Sequence, residues 1–175
     1  MTEELIPLIP EAQIHDYIKK TAGQISADYS GKDLVLMGIL KGSFIFLADL
    51  CRQISINHEI DFVGAKSYKG ASSTGKLIFT KKPDINLENR DILLVEDIVD
   101  TGQTLSKIID FIWSLNPASV KLCTLIDKHE RRTVHIDVDY HCFVLEKGFL
   151  IGYGLDYNEK YRNHPAIYSL KFEEI

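Results

Sequence analysis

Three acidic side chains lie close together in the segment LLVEDIVDTGQT, residues 93–104. Glu96 and Asp97 are adjacent, and Asp100 follows three positions after Asp97. Adjacent carboxylates suit two tasks, which are to accept hydrogen bonds from neighbouring hydroxyl groups and to bind Mg²⁺. A further carboxylate within reach of the same ligand could accept a proton during a reaction. These residues predict a site for a hydroxylated ligand, a metal ion and a base.

Small and polar residues follow the acids directly, in a pattern typical of a phosphate site. Free N–H groups at a helix N-terminus, together with threonine hydroxyls, can bind a phosphate without a nearby lysine. Thr101 and Thr104 supply hydroxyls, and Gly102 allows the backbone to approach a ligand closely. A phosphate beside a diol describes a sugar phosphate.

The apolar pattern of the chain places these residues at the end of a strand. The continuous run DILLVE, residues 91–96, is typical of a buried parallel strand, and the helix that follows stops before Pro117. Ligands bind at the carboxyl ends of strands in open α/β sheets. The other predicted elements are a helix over 11–27, a strand over 33–40, a helix from Phe44, and strands over 56–65, 77–80, 120–126 and 140–145. This order predicts an α/β fold with a mainly parallel twisted sheet flanked by helices.

Composition limits the classes of function that are open to the chain. Its 175 residues favour one domain, and the net charge of -5 argues against binding to nucleic acid or anionic lipid. The scattered cysteines, Cys51, Cys123 and Cys142, fit reduced thiols better than a disulfide framework. The acidic N-terminal segment lacks the basic region of a signal peptide, so we expect a cytoplasmic protein with no membrane partner.

The segment LLVEDIVDTGQT resembles the phosphoribosyl diphosphate (PRPP) signature of type I phosphoribosyltransferases, in the form found in hypoxanthine-guanine phosphoribosyltransferases. Four further segments resemble this family in the same order: GILKGSFIF its pyrophosphate loop, KSYKGASSTGK its active-site loop, LIDKHERR its purine-contacting lysine, and EKGFLIGYGLDYNEKYRN its hood. The resemblance implies one phosphoribosyltransferase domain over 1–175, with a core over roughly 12–145 and a hood from 1–11 and 146–175.

On the PRPP side, the resemblance implies a role for each residue of the acidic segment. Glu96 and Asp97 would bind the ribose hydroxyls and help to position Mg²⁺. The 5′-phosphate would be bound by the residues that follow them, which are Asp100, Thr101, Gly102, Gln103 and Thr104. Asp100 would also take the N7 proton of a purine as its N9 attacks C1′ of the ribose.

The resemblance also implies residues for the leaving group and the base. Lys41, Gly42 and Arg162 would contact pyrophosphate. The purine would be bound by Lys128, Phe149, Leu150 and Asp156, with Lys128 donating to the 6-oxo group and Asp156 serving a second Mg²⁺. Ser67 and Tyr68 would be the first residues of a lid loop over 67–76. The Leu40–Lys41 peptide would be cis.

The function implied is Mg²⁺-dependent purine salvage, in which PRPP and hypoxanthine or guanine give IMP or GMP and pyrophosphate. A homodimer or homotetramer is expected by the same resemblance. Recognition of the 2-position of the purine, which separates hypoxanthine, guanine and xanthine, stays open.

Other interpretations remain at this stage. Taken singly, the acids could be solvated loop residues with Asp100 or Thr101 capping a helix. Lys128 alone would be a surface lysine, and Phe149 alone a core residue. The run GASSTGKL resembles a Walker A motif but lacks the final Ser or Thr. A receiver-type signalling module, or a regulatory protein of the same fold without catalysis, are further alternatives.

Overall fold

The protein is described by a computed structural model over residues 2–67 and 77–173. Strands and helices alternate through most of the described chain. The elements are β1 (Thr2–Ile9), α1 (Glu11–Asp28), β2 (Leu34–Leu40), α2 (Phe44–Gln53), β3 (His58–Ser67), β4 (Leu77–Lys81), β5 (Asp91–Val99), α3 (Gln103–Trp113), β6 (Ser119–Lys128), β7 (Tyr140–Leu145), β8 (Leu150–Ile151) and β9 (Ile167–Glu173).

The main sheet has six strands in the order β4-β3-β2-β5-β6-β7. Among the described strands of this sheet, the edge pair β3–β4 is antiparallel and the other neighbours run parallel. The predicted fold class is therefore confirmed. Because β2, β5 and β6 run in the same direction, their carboxyl ends at Leu40, Val99 and Lys128 lie at one edge of the sheet.

Helices cover both faces of this sheet, so a hydrophobic core lies on each face. Successive residues of a strand point alternately into one core and the other. Leu36 of β2 packs in the core beneath α1 and α2, with Ile18 and Leu50. Its neighbour Met37 packs in the second core, beneath α3, with Ile108. The continuous apolar runs of the parallel strands reflect burial on both faces.

A smaller sheet of three strands joins the two ends of the described chain, in the order β1-β9-β8. Leu5 pairs with Leu170, and Leu150 pairs with Ser169. The three cysteines are free thiols, as predicted. Within residues 2–67 and 77–173, no helix is long and apolar enough to cross a membrane.

Candidate active site

The acidic pair lies within β5, because this strand continues beyond the predicted end at residue 96. Ile98 and Val99 still pair with Ile126 and Asp127 of β6, so the predicted boundary was wrong by three residues. Backbone bonds hold both carboxylates. The N–H of Asp97 donates to Glu96 over 3.1 Å, and the N–H of Ile98 donates to Asp97 over 2.9 Å.

Burial raises the pKa of Glu96 well above its usual range, and the adjacent Asp97 carboxylate adds to this rise because it disfavours a second negative charge. Glu96 therefore holds its proton more tightly than an exposed glutamate would. The two adjacent carboxyl groups offer several oxygen acceptors to the hydroxyl groups of a ligand.

The segment after β5 forms a cradle at the N-terminus of α3. Gly102 precedes the helix in the left-handed region, at φ 80°, which few residues other than glycine adopt readily. The carbonyl of Thr101 is already bound by the N–H groups of Thr133 and Val134 at 3.0 and 3.2 Å. The N–H groups of the first helical turn, in contrast, have no carbonyl four residues before them to bind. The N–H of Gln103 donates to the Thr101 hydroxyl over 3.4 Å, and Thr101, Gly102 and Thr104 line a cavity of about 140 Å³ at this end of the helix.

Three separate segments meet at Gly42, beside the acidic pair. A Cβ at Gly42 would lie 1.8 Å from a carboxylate oxygen of Asp97, and one at Gly154 would lie 2.1 Å from the Gly42 carbonyl oxygen. Gly154 is also in the left-handed region, at φ 99°. The two glycines therefore allow the loop after β2, the end of β5 and the segment after β8 to approach each other. The Leu40–Lys41 peptide in this loop is cis, as the resemblance implied.

The two predicted pyrophosphate cations lie close to one another across this junction. Arg162 donates to the Gly154 carbonyl over 2.8 Å and pairs with Asp156 over 2.8 Å. Lys41 extends from the loop after β2 and pairs with Glu159 over 2.9 Å. Arg162 also lies 3.3 Å from Glu159, so one carboxylate contacts both cations. Sequence reasoning assigned no role to Glu159.

A second cavity, of about 210 Å³, lies between the end of β6 and the segment around β8. Its lining includes four of the residues assigned to the purine, which are Lys128, Phe149, Leu150 and Asp156. Lys128 is only 5% exposed, so the interpretation as a surface lysine is wrong. Its ammonium lies 3.2 Å from Glu130 and 3.9 Å from Asp100.

Phe149 contradicts the other simple interpretation, because its ring is 42% exposed although it is a large apolar residue. It stands edge-on to Tyr157, with the ring centroids 5.5 Å apart. Its carbonyl accepts a bond from the N–H of Leu170 on β9 over 2.9 Å. The small sheet therefore fixes the backbone of Phe149 while its ring borders the cavity.

Asp100 lines both cavities and connects the two halves of the site. Its Oδ1 is buried, with no hydrogen-bond partner in the described part of the chain. Lys128 and Arg131 lie at 3.9 and 3.6 Å from its carboxylate, close enough to stabilise a negative charge but beyond hydrogen-bond length. A buried carboxylate oxygen without a donor can accept a proton from a ligand.

Arg132 is a residue that sequence reasoning missed. Its guanidinium donates to the carbonyls of Val99 and Asp100 over 2.8 and 2.9 Å, and to the Lys128 carbonyl over 3.0 Å. It also donates to the Asp127 carboxylate over 2.6 Å, which helps to hold the pKa of that carboxyl below its usual value although burial opposes this. Arg132 thus joins the ends of β5 and β6. The only sequence signal was its place in LIDKHERR, four residues after Lys128.

Ser67 ends β3, and Tyr68 with the rest of the predicted lid, residues 68–76, lies outside the described residues. A larger cavity of about 440 Å³ lies between α3 and β6 and is lined by none of the predicted site residues.

A family model described as "Phosphoribosyl transferase domain" matches residues 11–158. The chain belongs to the phosphoribosyltransferase family. This confirms the resemblance and excludes the receiver-type module. The Walker A interpretation also fails, because strand β4 rather than a helix follows the glycine-rich run.

Named relatives and solved structures agree with the phosphoribosyltransferase assignment. A hypoxanthine phosphoribosyltransferase of Escherichia coli K12 is 44% identical over 91% of this chain and 92% of its own length. A hypoxanthine-guanine phosphoribosyltransferase of Streptococcus pneumoniae R6 is 44% identical over 95% of this chain and 93% of its own. The crystal structure of a hypoxanthine-guanine phosphoribosyltransferase of Bacillus anthracis, with HEPES in its active site, superposes with a TM-score of 0.90 at 40% identity, covering 98% of this chain and 100% of that one.

Proposed function

We propose that this phosphoribosyltransferase acts in purine salvage, as a hypoxanthine-guanine or hypoxanthine phosphoribosyltransferase. It transfers the 5-phosphoribosyl group of PRPP to N9 of a 6-oxopurine and forms IMP or GMP with pyrophosphate. The carrying observation is that Asp100 borders both the cavity at the N-terminus of α3 and the cavity beside Lys128. A sugar phosphate and a base bound in these two cavities would meet at its carboxylate. The names of the relatives support the same activity.

The PRPP half of the ligand is assigned to β5 and α3. Its 5′-phosphate would bind the N–H groups and hydroxyls of residues 100–104, where the helix terminus favours negative charge. Its ribose hydroxyls would bind Glu96 and Asp97. Its pyrophosphate would bind Lys41, Gly42 and Arg162, of which Gly42 lies against Asp97 and Arg162 pairs with Asp156.

The purine half is assigned to the cavity beside Lys128. The buried ammonium would donate to the 6-oxo group, whereas the 6-amino group of adenine offers it no acceptor. The exposed ring of Phe149 would stack on the base, and Leu150 and Asp156 would border its edge. The backbone carbonyls around Leu150 and Asp156 would select between purines that differ at the 2-position.

In the chemical step, the bond between N9 and C1′ forms while the bond from C1′ to the pyrophosphate oxygen breaks. The purine loses its N7 proton, and the free Oδ1 of Asp100 is placed to accept it. The electron pair of the breaking bond leaves with pyrophosphate, whose charge Lys41 and Arg162 stabilise. Closure of the loop over 67–76 would exclude water that could otherwise hydrolyse PRPP.

Mg²⁺ is the cofactor that we propose. Within the described residues, no group of three or more metal-binding side chains converges on one point. The residues fit Mg²⁺ nonetheless, because this ion is commonly held by one or two carboxylates together with substrate phosphates and water. Asp97 and Asp156 offer those carboxylates at the cavity beside Lys128, and Glu96 precedes Asp97 in β5. When bound, Mg²⁺ would neutralise charge on the pyrophosphate.

Residues 1–11 and 146–175 would act as a hood over a core at 12–145. A cytoplasmic homodimer or homotetramer without nucleic-acid or membrane partners fits the acidic composition and the free thiols.

An assay with PRPP, Mg²⁺ and hypoxanthine tests the activity, with IMP measured as the product. Parallel reactions with guanine, xanthine and adenine rank the bases, and we expect adenine to be the poorest. A protein that binds PRPP but forms no nucleotide with any of the bases would instead be a regulatory protein of the same fold.

A further inference from the structure

Glu159 contacts both cations that are assigned to pyrophosphate. Its Oε2 atom lies 2.9 Å from the Lys41 ammonium and 3.3 Å from the Arg162 guanidinium. A carboxylate oxygen between two cations is negatively charged and accepts from the same N–H donors that a pyrophosphate oxygen would meet at this place. Glu159 and pyrophosphate would therefore bind the same two cations.

The backbone around Glu159 forms a turn with an unusual conformation for residues other than glycine. Asn158 and Glu159 both have left-handed φ angles, 52° and 63°, although neither is glycine. The Glu159 N–H donates to Asp156 over 2.9 Å, so the turn is tied to the residue that also pairs with Arg162. The contacts with Lys41 and, next, Arg162 hold the pKa of Glu159 below its usual value, and the side chain is therefore anionic at neutral pH.

The two cations depend on Glu159 to different degrees. Arg162 keeps the Gly154 carbonyl and Asp156 as partners if Glu159 moves away. The Lys41 ammonium has no other hydrogen-bond partner among the described residues. The Lys41 and Glu159 side chains are 61% and 64% exposed, so their pairing is weak and reversible.

We propose that Glu159 is an internal counter-anion that competes with pyrophosphate for Lys41 and Arg162. This inference rests on the proposed function. Glu159 occupies the cations in the ligand-free protein, moves away when PRPP or pyrophosphate binds, and returns as pyrophosphate leaves. It thereby weakens the binding of pyrophosphate-bearing ligands and favours product release, without contacting the purine or the 5′-phosphate.

Glu159→Gln tests the competition, because it removes the charge and keeps the shape. Isothermal titration with magnesium pyrophosphate should give a Kd about 2- to 10-fold lower than that of the wild-type protein, as expected for two exposed ion pairs. The Kd for IMP should stay within about 2-fold. The gain for pyrophosphate should shrink as salt is raised, because screening weakens the pairs in the wild-type protein.

Two variants separate competition from other effects. Glu88→Gln makes the same charge change in the exposed connection before β5 and should leave the pyrophosphate Kd unchanged. Glu159→Asp keeps the charge but shortens the side chain, so it should tighten pyrophosphate binding less than Glu159→Gln does. Thermal melts check that each variant is folded.

Weaker pyrophosphate binding by Glu159→Gln would overturn the proposal, because Glu159 would then assist the ligand or its metal. An unchanged Kd would overturn it as well. Assay of the wild-type protein separates this failure from failure of the proposed function. If the wild-type protein forms IMP but Glu159→Gln does not bind pyrophosphate more tightly, only the counter-anion role of Glu159 is rejected. If the wild-type protein neither forms IMP nor binds pyrophosphate, the counter-anion role and the proposed function are both rejected.

Discussion

At the scale of single residues, the role of Asp100 is the most sharply testable. It has a buried oxygen without a donor and two cations just beyond hydrogen-bond length. We expect Asp100→Asn to lower kcat by about 10²- to 10⁴-fold, because an amide cannot accept the proton. The Kd for PRPP should change only a few-fold. Single-turnover kinetics and equilibrium binding measure the two quantities separately.

The matched control is Asp110→Asn, which makes the same change on the exposed side of α3 and should leave both quantities intact. A kcat for Asp100→Asn within a few-fold of the wild-type value would remove the proton-acceptor role. A parallel loss of kcat and PRPP affinity would assign Asp100 to ligand binding instead.

Lys128 carries the second prediction at this scale, since its buried ammonium is assigned to the 6-oxo group. Lys128→Gln should raise the KM for hypoxanthine by roughly 10- to 100-fold, because a hydrogen bond from a charged group to the base is lost. Discrimination against adenine should fall at the same time, because the amide also offers an acceptor. Steady-state kinetics with both bases provides the measurement.

Lys121→Gln serves as the control for Lys128, because this lysine lies on the same strand, outside the cavity, and pairs with Asp139 at 4.0 Å. Its kinetics with both bases should match those of the wild type. If Lys128→Gln kept the wild-type preference between the bases, the ammonium would not select the 6-oxo group.

The residue types of the site could be predicted from sequence, but their surroundings could not. Lys128 alone resembles a surface lysine, since its local sequence does not show that the residues around β8 lie beside it across the cavity. Phe149 alone resembles a core residue, since its apolar side chain does not show that it is exposed beside the cavity. The roles of Arg132 and Glu159 could not be predicted, because their partners are carbonyls and side chains that only the fold brings near. Some of these partners are more than 100 positions away in the chain.

At the scale of elements, β5 shows where an apolar pattern misleads. The strand was predicted to end at the first acid, yet it runs through Glu96 and Asp97 to Val99. Backbone pairing with β6 continues there, and it does not depend on the polarity of the side chains. The position of the parallel strand, its partner helix and the ligand edge were nonetheless predictable, because a buried run followed by small polar residues is typical of that edge.

The contact of three segments at Gly42 gives a prediction for these elements. Gly154→Ala would place a Cβ 2.1 Å from the Gly42 carbonyl oxygen, on a backbone with positive φ. We expect the variant to lose at least about 1–3 kcal/mol of stability from backbone strain and most of its pyrophosphate affinity, because the segment after β8 must shift away from the loop after β2. Thermal melts and titration with magnesium pyrophosphate measure both effects.

Gly23→Ala is the control for Gly154→Ala, because nothing lies within 4 Å of a Cβ at this position in helix α1. Alanine should stabilise the helix there by roughly 0.5–1 kcal/mol and leave pyrophosphate binding unchanged. Wild-type stability and affinity in Gly154→Ala would show that the three segments are not in tight contact in solution.

At the scale of the whole molecule, local pattern predicted the class of fold but not the order of its strands. The six-stranded order and the pairing of β1 with β9 rest on contacts between residues far apart in the chain. The division into core and hood stays a prediction. The site depends on this long-range order, since Lys41, Asp100 and Lys128 follow β2, β5 and β6 or end them at one sheet edge.

The stability of the whole fold should depend on pH through a buried acid, Asp61. Asp61 of β3 accepts bonds from the N–H groups of Asp84 and Ile85, over 2.7 and 3.2 Å, and thereby attaches the connection after β4 to the sheet. Burial raises its pKa, but the bonds from backbone N–H groups, that of Phe62 above all, and from Lys81 outweigh burial and hold the pKa below its usual value.

Because the folded state favours ionised Asp61, its contribution is present above the pKa of the unfolded chain, about 3.9, and is lost as the pH falls through the folded value. Asp61→Asn should lower the free energy of unfolding by about 1–3 kcal/mol at pH 7, and the difference from wild type should narrow below about pH 4. Urea unfolding across this range provides the measurement, with the exposed Asp137→Asn as control. A difference that stayed constant with pH would assign the loss to packing, and equal stability at neutral pH would show that the Asp61 carboxylate does not stabilise the sheet.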